Sequence, residues 1–486
     1  MNLMEVDAAG RSDAHEKPAI PPLVSTAIIL ALGIVILYLV PRPAQVSIQG
    51  WRMLAIFLCT VLALMLRPLP GGAAVLIGVT LTVLTGIFSV AQALSAYGGS
   101  TVWLVLAAFL IARALINSGL ARRIALLFVR AIGHTSLGLG YSLVASDIVL
   151  AGIIPSNAAR IGGVLLPITR SLAAIYRSTP GPAAALLGTY LMLTIYQGDV
   201  VACAMFLTGQ ASNTIGAALA VQTAKVTLTW SSWFRAAAIP GFAAALAVPW
   251  VIYRLSPPEI KFTPKAAELA RRELEEMGPM RGPEMIVLAV FLLVCGLWAT
   301  STLHHLDTAM VALIGVAILL ATGALSWGDA VREHLAWDIF VWYGGLIRMG
   351  EALNDFGITA HFARWVSSHF AGWTWPVLFC AILLIYFYAH YAFASITTHI
   401  LSMYAPFVAV LVTAGAPAPL VAYALVFAAN LSASLTHYGT TPGPIVFAAD
   451  FVSHGRWWSV GLLISIVNLA VWAGIGLVWW KAIGLW

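Results

Sequence analysis

Charge is what this chain has least of. Of its 486 residues, 9% are Asp, Glu, Lys or Arg and 61% are hydrophobic. The mean hydropathy is +0.93, which excludes an ordinary soluble domain and puts the chain in a bilayer. Cysteine is also scarce. Cys59, Cys203, Cys295 and Cys380 stand singly in apolar segments with no CxxC pair, which excludes a disulfide scaffold and reads as small buried hydrophobes. His304-His305 with Asp307 has no further ligand at suitable spacing, so no metal or cofactor is expected. No nucleophile–base pair stands at sensible spacing either, which leaves a membrane enzyme as the weaker reading. The net charge of +6 comes largely from loops and does not indicate nucleic-acid binding.

What is present is long apolar runs. A span needs about 20 such residues to cross hydrocarbon. Eleven are expected, near 23–41, 51–67, 73–90, 101–120, 183–208, 232–254, 285–302, 308–326, 338–356, 416–436 and 457–483. Two further apolar regions, 134–175 and 373–412, are each broken in the middle by polar residues. Irregular backbone at membrane depth is tolerated only against protein or water, so these two read as re-entrant hairpins. Trp457, Trp458, Trp479 and Trp480 bracket the last span and read as interfacial anchors.

The two broken regions are one device built twice. The first carries Pro155-Ser156-Asn157-Ala158-Ala159-Arg160 with Pro167 beyond, the second Ala394-Ser395-Ile396-Thr397-Thr398-His399 with Pro406 at the same distance. Around them the order of elements repeats on either side of the charged linker 255–284, where Thr263-Pro264 starts a short helix and Gly278-Pro279 stops it. An odd number of crossings per unit inverts the second copy, which brings the two tips together at the bilayer centre. Basic residues at the hairpin flanks and in the linker, among them Arg122, Arg123, Arg130, Arg170, Lys261 and Arg271, place those ends in the cytoplasm together with the N-terminus. The acidic leader with Glu5, Asp7, Asp13 and Glu16 argues against a cleaved signal.

Two later spans are interrupted as well, at Thr208-Gly209-Gln210-Ala211-Ser212-Asn213-Thr214 and at Thr436-His437-Tyr438-Gly439-Thr440-Thr441-Pro442. Each break starts a new half-helix whose first N–H groups are unsatisfied and partly positive, a setting that binds carboxylate. None of the four breaks contains Asp or Glu, as an anion site requires. Ser156, Asn157, Ala158, Ser212, Asn213, Ser395, Thr397, Thr398, Thr440 and Thr441 are the candidate substrate contacts, and a dianion gripped between two tips is the expected cargo.

The strings Asn117-Ser118-Gly119-Leu120, Leu137-Gly138-Leu139-Gly140-Tyr141-Ser142, Pro155-Ser156-Asn157 and Leu435-Thr436-His437-Tyr438-Gly439-Thr440 resemble the divalent anion–sodium symporter family. Within it they are closest to the plastid 2-oxoglutarate/malate translocators and the bacterial citrate/succinate and tartrate/succinate exchangers. The resemblance implies an all-α membrane homodimer that moves small carboxylates by an elevator motion. It assigns 23–133 and 285–372 to a scaffold, 134–254 and 373–486 to a transport part, and 1–22 and 255–284 to a cytoplasmic tail and linker. The family places Ser-Asn-Thr at both tips. Here the first copy reads Ser156-Asn157-Ala158 and the second Ser395-Ile396-Thr397, which weakens any sodium site, because isoleucine has no side-chain oxygen.

Arg160 and His399 hold mirrored positions one turn past the tips. An arginine in a membrane segment is costly unless paired or hydrated. As a mirrored pair, the two are expected to be fixed positive charges standing in for sodium. A loaded carrier would then cross more easily than an empty one, so exchange is favoured over sodium symport of the same anions in the inner membrane.

Overall fold

The computed structural model describes residues 21–66, 68–369 and 372–486. The expected tail, 1–22, therefore falls almost wholly outside the described residues. No strand occurs among them, and ten helices are long and apolar enough to cross a membrane.

After a first helix α1 (Pro22–Leu39), the first repeat runs α2 (Ile48–Leu66), α3 (Gly71–Leu84), α4 (Ser100–Asn117) and α5 (Leu120–Ile132). The hairpin α6 (Ser136–Ala151) and α7 (Asn157–Ile175) follows, then the interrupted pair α8 (Gly188–Met205) and α9 (Ala211–Ala224), and the closing α10 (Trp230–Leu255). The linker helix is α11 (Pro264–Met277). The second repeat copies this order with α12 (Gly282–Ala299), α13 (Thr308–Ala321), α14 (His334–Asp355) and α15 (Ile358–His369). Its hairpin is α16 (Trp375–Ala392) and α17 (Ile396–Thr413). The interrupted pair is α18 (Ala418–Leu435) and α19 (Pro442–Phe447), and α20 (His454–Ala482) closes the chain.

Each of the eleven expected spans contains a helix. One of them, α3, stops at Leu84 rather than near 90, where Gly86 takes a positive φ of 69° and turns the chain. The short amphipathic helix α5 was hidden by its own charge. Arg122 and Arg130 mark a solvated stripe, while Leu120, Ala121, Ala125, Leu126 and Val129 are buried on the other side.

Hairpin one returns to the side it came from, because one linker holds both of its ends. Ser136 N donates to Lys261 O at 3.0 Å and Thr263 N to His134 O at 2.8 Å. At the far end of α7, the Tyr176 hydroxyl accepts from Ala266 N at 3.2 Å. The linker also grips α5: Arg122 pairs with Glu273 at 2.9 Å, and Arg123 forks onto Glu284 while donating to Gly278 O at 3.0 Å.

Two sets of helix contacts stand out. α2 and α3 pack on α14, and α4 lies between α13 and α14. α8 packs against α6 and α10, α10 against α20, and α16 against α18. The tryptophans near the last span split accordingly. Trp457 and Trp480 are not interfacial anchors but core residues, 0% and 3% exposed. Trp457 lies 4.8 Å from the Tyr196 ring, and Trp480 Nε1 donates to Ala236 O at 2.9 Å.

Candidate functional site

All four breaks form where the sequence places them, and glycine is required at two. A Cβ on Gly209 would sit 2.6 Å from Cys203 O, and one on Gly439 would meet His390 Nε2 at 2.8 Å. Both lie under the distance that side-chain carbons tolerate, so the backbone passes where only glycine fits.

At tip one, Ser156 caps α7: its Oγ accepts from Ala159 N at 3.2 Å. Asn157 is buried and joins the break of the other repeat, with Nδ2 donating to Thr440 Oγ1 at 2.9 Å. The same group reaches Gln210 Oε1 at 3.5 Å. From there a chain of amides runs one way. Gln210 Nε2 donates to Asn430 Oδ1, Asn430 Nδ2 to Asn213 Oδ1 at 2.8 Å, and Asn213 Nδ2 to Cys203 O and Phe206 O, each at 2.8 Å. Unpaired amides at this depth would each cost several kcal/mol, so the chain fastens α7, α8, α9, α18 and the second break together. Of its members, Asn157, Asn213 and Thr440 were expected in the site. Gln210 and Asn430 were not.

Tip two is built differently. No side chain caps the first turn of α17 after Ser395. Ser395, Thr397 and Thr398 line a cavity of about 440 Å³, facing Leu64, Pro68, Gly71 and Trp342 across it. No tip-one residue lines this cavity, so the expected grip by both tips at once is not its geometry. A second cavity of about 510 Å³ lies at the α12–α13 turn, where Thr214 of α9 faces Ser100, Ser301 and Asp307. Ser212 is buried in the first turn of α9, Ala158 is half-buried beside Asn157, and Thr441 is exposed ahead of α19.

Arg160, expected as a fixed positive charge, is held by partners on every side. It is fully buried, and all five of its N–H groups are used. Nε donates to Asp147 Oδ1 at 2.8 Å, and Nη2 to Asp199 Oδ1 at 2.7 Å and Cys203 Sγ at 3.2 Å. Nη1 bridges Ile154 O at 2.7 Å and Gly209 O at 2.6 Å. The physical reason is the one that makes membrane arginine rare: without partners the guanidinium could not be held here. His399 is likewise enclosed. Its Nδ1 faces His390 Nδ1 at 3.1 Å, and His390 Nε2 reaches Gly439 O at 2.9 Å. If His390 donates to that carbonyl, its Nδ1 must accept from His399, so one proton serves the contact. His390 thus ties hairpin two to the second break.

Thr397 lines the first cavity, so Thr397→Cys is expected to react with a water-soluble maleimide and to be shielded by bound substrate. Labelling unchanged by every dicarboxylate tried would remove the cavity from the substrate path.

Multiple spans, two broken hairpins and two broken helices define a secondary transporter of the membrane, not an enzyme. Residues 22–486 match the model described as the sodium:sulfate symporter transmembrane region, and the chain belongs to that family, the divalent anion–sodium symporters. It is 42% identical over 479 residues to a Bacillus subtilis (strain 168) protein, YflS, whose name proposes malate transport; the match spans 98% of this chain and 100% of the relative. Dicarboxylate transporter 1, chloroplastic, of Arabidopsis thaliana is 41% identical over 471 residues, 96% of this chain and 84% of the relative. The crystal structure of the Alcanivorax borkumensis YdaH transporter shares the fold with a TM-score of 0.54 at 13% identity, over 96% of this chain and 98% of that one.

Proposed function

We propose that the protein exchanges small dicarboxylates of the malate, 2-oxoglutarate and succinate class, with citrate and tartrate as related cargo, across the bacterial inner membrane. The observation that carries this is tip two: an uncapped helix start, with Ser395, Thr397 and Thr398, facing a cavity of about 440 Å³. A helix start with neutral hydroxyls holds carboxylate without a dedicated lysine. The names of the relatives support the same substrate class.

Exchange, rather than sodium symport, is supported by what fills the cation-friendly oxygens. Arg160 Nη1 occupies the gap between the carbonyls of Ile154 and Gly209, at the junction of tip one and the first break. A resident guanidinium sets a full positive charge against those oxygens, which repels a metal ion from them. At tip two, Ile396 supplies no side-chain oxygen. In this reading α1–α5 and α12–α15 form the scaffold of a homodimer, and the hairpins with α8–α10 and α18–α20 move against it as an elevator. The basic linker and the N-terminus face the cytoplasm.

Counterflow in proteoliposomes tests the reading. Uptake of labelled malate should require internal dicarboxylate and continue when sodium is replaced by choline. Sodium-driven uptake into vesicles without internal substrate would establish symport instead.

A further inference from the structure

Behind tip one, two carboxylates face one guanidinium. Asp147 comes from α6, Asp199 from α8 and Arg160 from the first turn of α7, with side chains 1%, 0% and 0% exposed. Each aspartate spends one oxygen on Arg160. The other oxygens, Asp147 Oδ2 and Asp199 Oδ2, are buried with no donor partner, and the two carboxyl groups sit on neighbouring nitrogens of one guanidinium, Nε and Nη2. Fully ionised, the cluster would carry one net negative charge at membrane depth and leave two anionic oxygens buried without a donor. Two carboxylates sharing a single guanidinium in a dry site do not both stay ionised.

We propose that Asp147 and Asp199 form a proton-binding site and share one proton, which makes the Arg160 cluster neutral. The proton comes from water, forms an O–H on one carboxyl and donates to the facing oxygen of the other; no electron moves. The remaining groups do not offer an alternative counter-charge. Arg160 is already shared between the two, Cys203 and Tyr196 lie on the helix of Asp199, and the Tyr196 hydroxyl donates to Ala433 O and Thr436 O. Arg235 and Arg254 of α10 and Arg170 of α7 are exposed, and Arg123 of α5 is held by Glu284. The site is separate from the substrate cavity and does not depend on which anion is carried.

Infrared spectroscopy of the full-length protein in lipid tests this. At neutral pH the wild type should show the C=O stretch of a buried protonated carboxyl, one per chain. Asp147→Asn and Asp199→Asn should each abolish it, because either leaves a lone carboxylate paired with Arg160. Each single variant should melt near the wild-type temperature, since an amide reproduces the protonated partner, whereas the double variant should melt clearly lower. Absence of the band in the wild type would overturn the proposal even if no variant folds. So would its survival in both single variants, or single variants as unstable as the double.

Discussion

Replacing Arg160 by methionine is expected to destabilise the protein by about 3–5 kcal/mol, the usual cost of removing one partner from a buried ion pair. The side chain is fully buried and holds two carboxylates and two carbonyls, so its loss orphans four acceptors at once. The yield of folded protein in mild detergent and its melting temperature would show this, and transport would vanish with them. A triple variant, Arg160→Met with Asp147→Asn and Asp199→Asn, separates the causes. It should recover part of the stability because no buried charge remains, yet it should not recover exchange if the guanidinium also serves the carrier cycle. A single Arg160→Met variant with wild-type melting would show that the cluster contributes little to the fold.

Asn157→Ala is expected to reduce transport at least tenfold while the protein still folds. Its amide is the one side chain linking tip one to both interrupted helices, through Thr440 and Gln210. Truncation removes one or two hydrogen bonds worth roughly 0.5–1.5 kcal/mol each and leaves buried partners unsatisfied at about 1–3 kcal/mol. The expected signature is a fall in maximal exchange rate with monodisperse protein of normal yield. Asn157→Asp, which keeps the shape but replaces a donor by an acceptor, should be at least as damaging. Unchanged exchange in both would leave the amide chain a packing feature only.

Much of this architecture could be read from the residues, because a bilayer permits so few backbone solutions. Apolar length fixed the spans, and the four breaks stood out as polar knots that lipid would not tolerate. The partners of Arg160 were legible too, although the breaks drew attention away from them. Between Glu16 and Glu259 the chain carries two acidic residues, Asp147 and Asp199, so a buried arginine in that half had these two to choose from. Asn430 is different in kind. It lies in an apolar helix with no local sign of its role, and its partners Asn213 and Gln210 are more than two hundred residues away. Side chains that meet across an inverted repeat leave no short-range pattern. Likewise, nothing in Ser156 and Ser395 as residue types distinguishes a tip whose serine caps its helix from one left open to a cavity.

The amide chain also has an order in time. Asn157, Gln210 and Asn213 are synthesised and inserted long before Asn430 and Thr440 exist, the last contact spanning 283 residues of sequence. Until α18 and the second break emerge, Gln210 Nε2 and Asn213 Oδ1 lack Asn430 and Asn157 Nδ2 lacks Thr440, so the first repeat cannot complete its polar centre as an independent unit. The transport machinery closes only once Thr440 has been made. A chain stopped before Asn430 would be left with its polar centre open to lipid, a ready mark for membrane quality control.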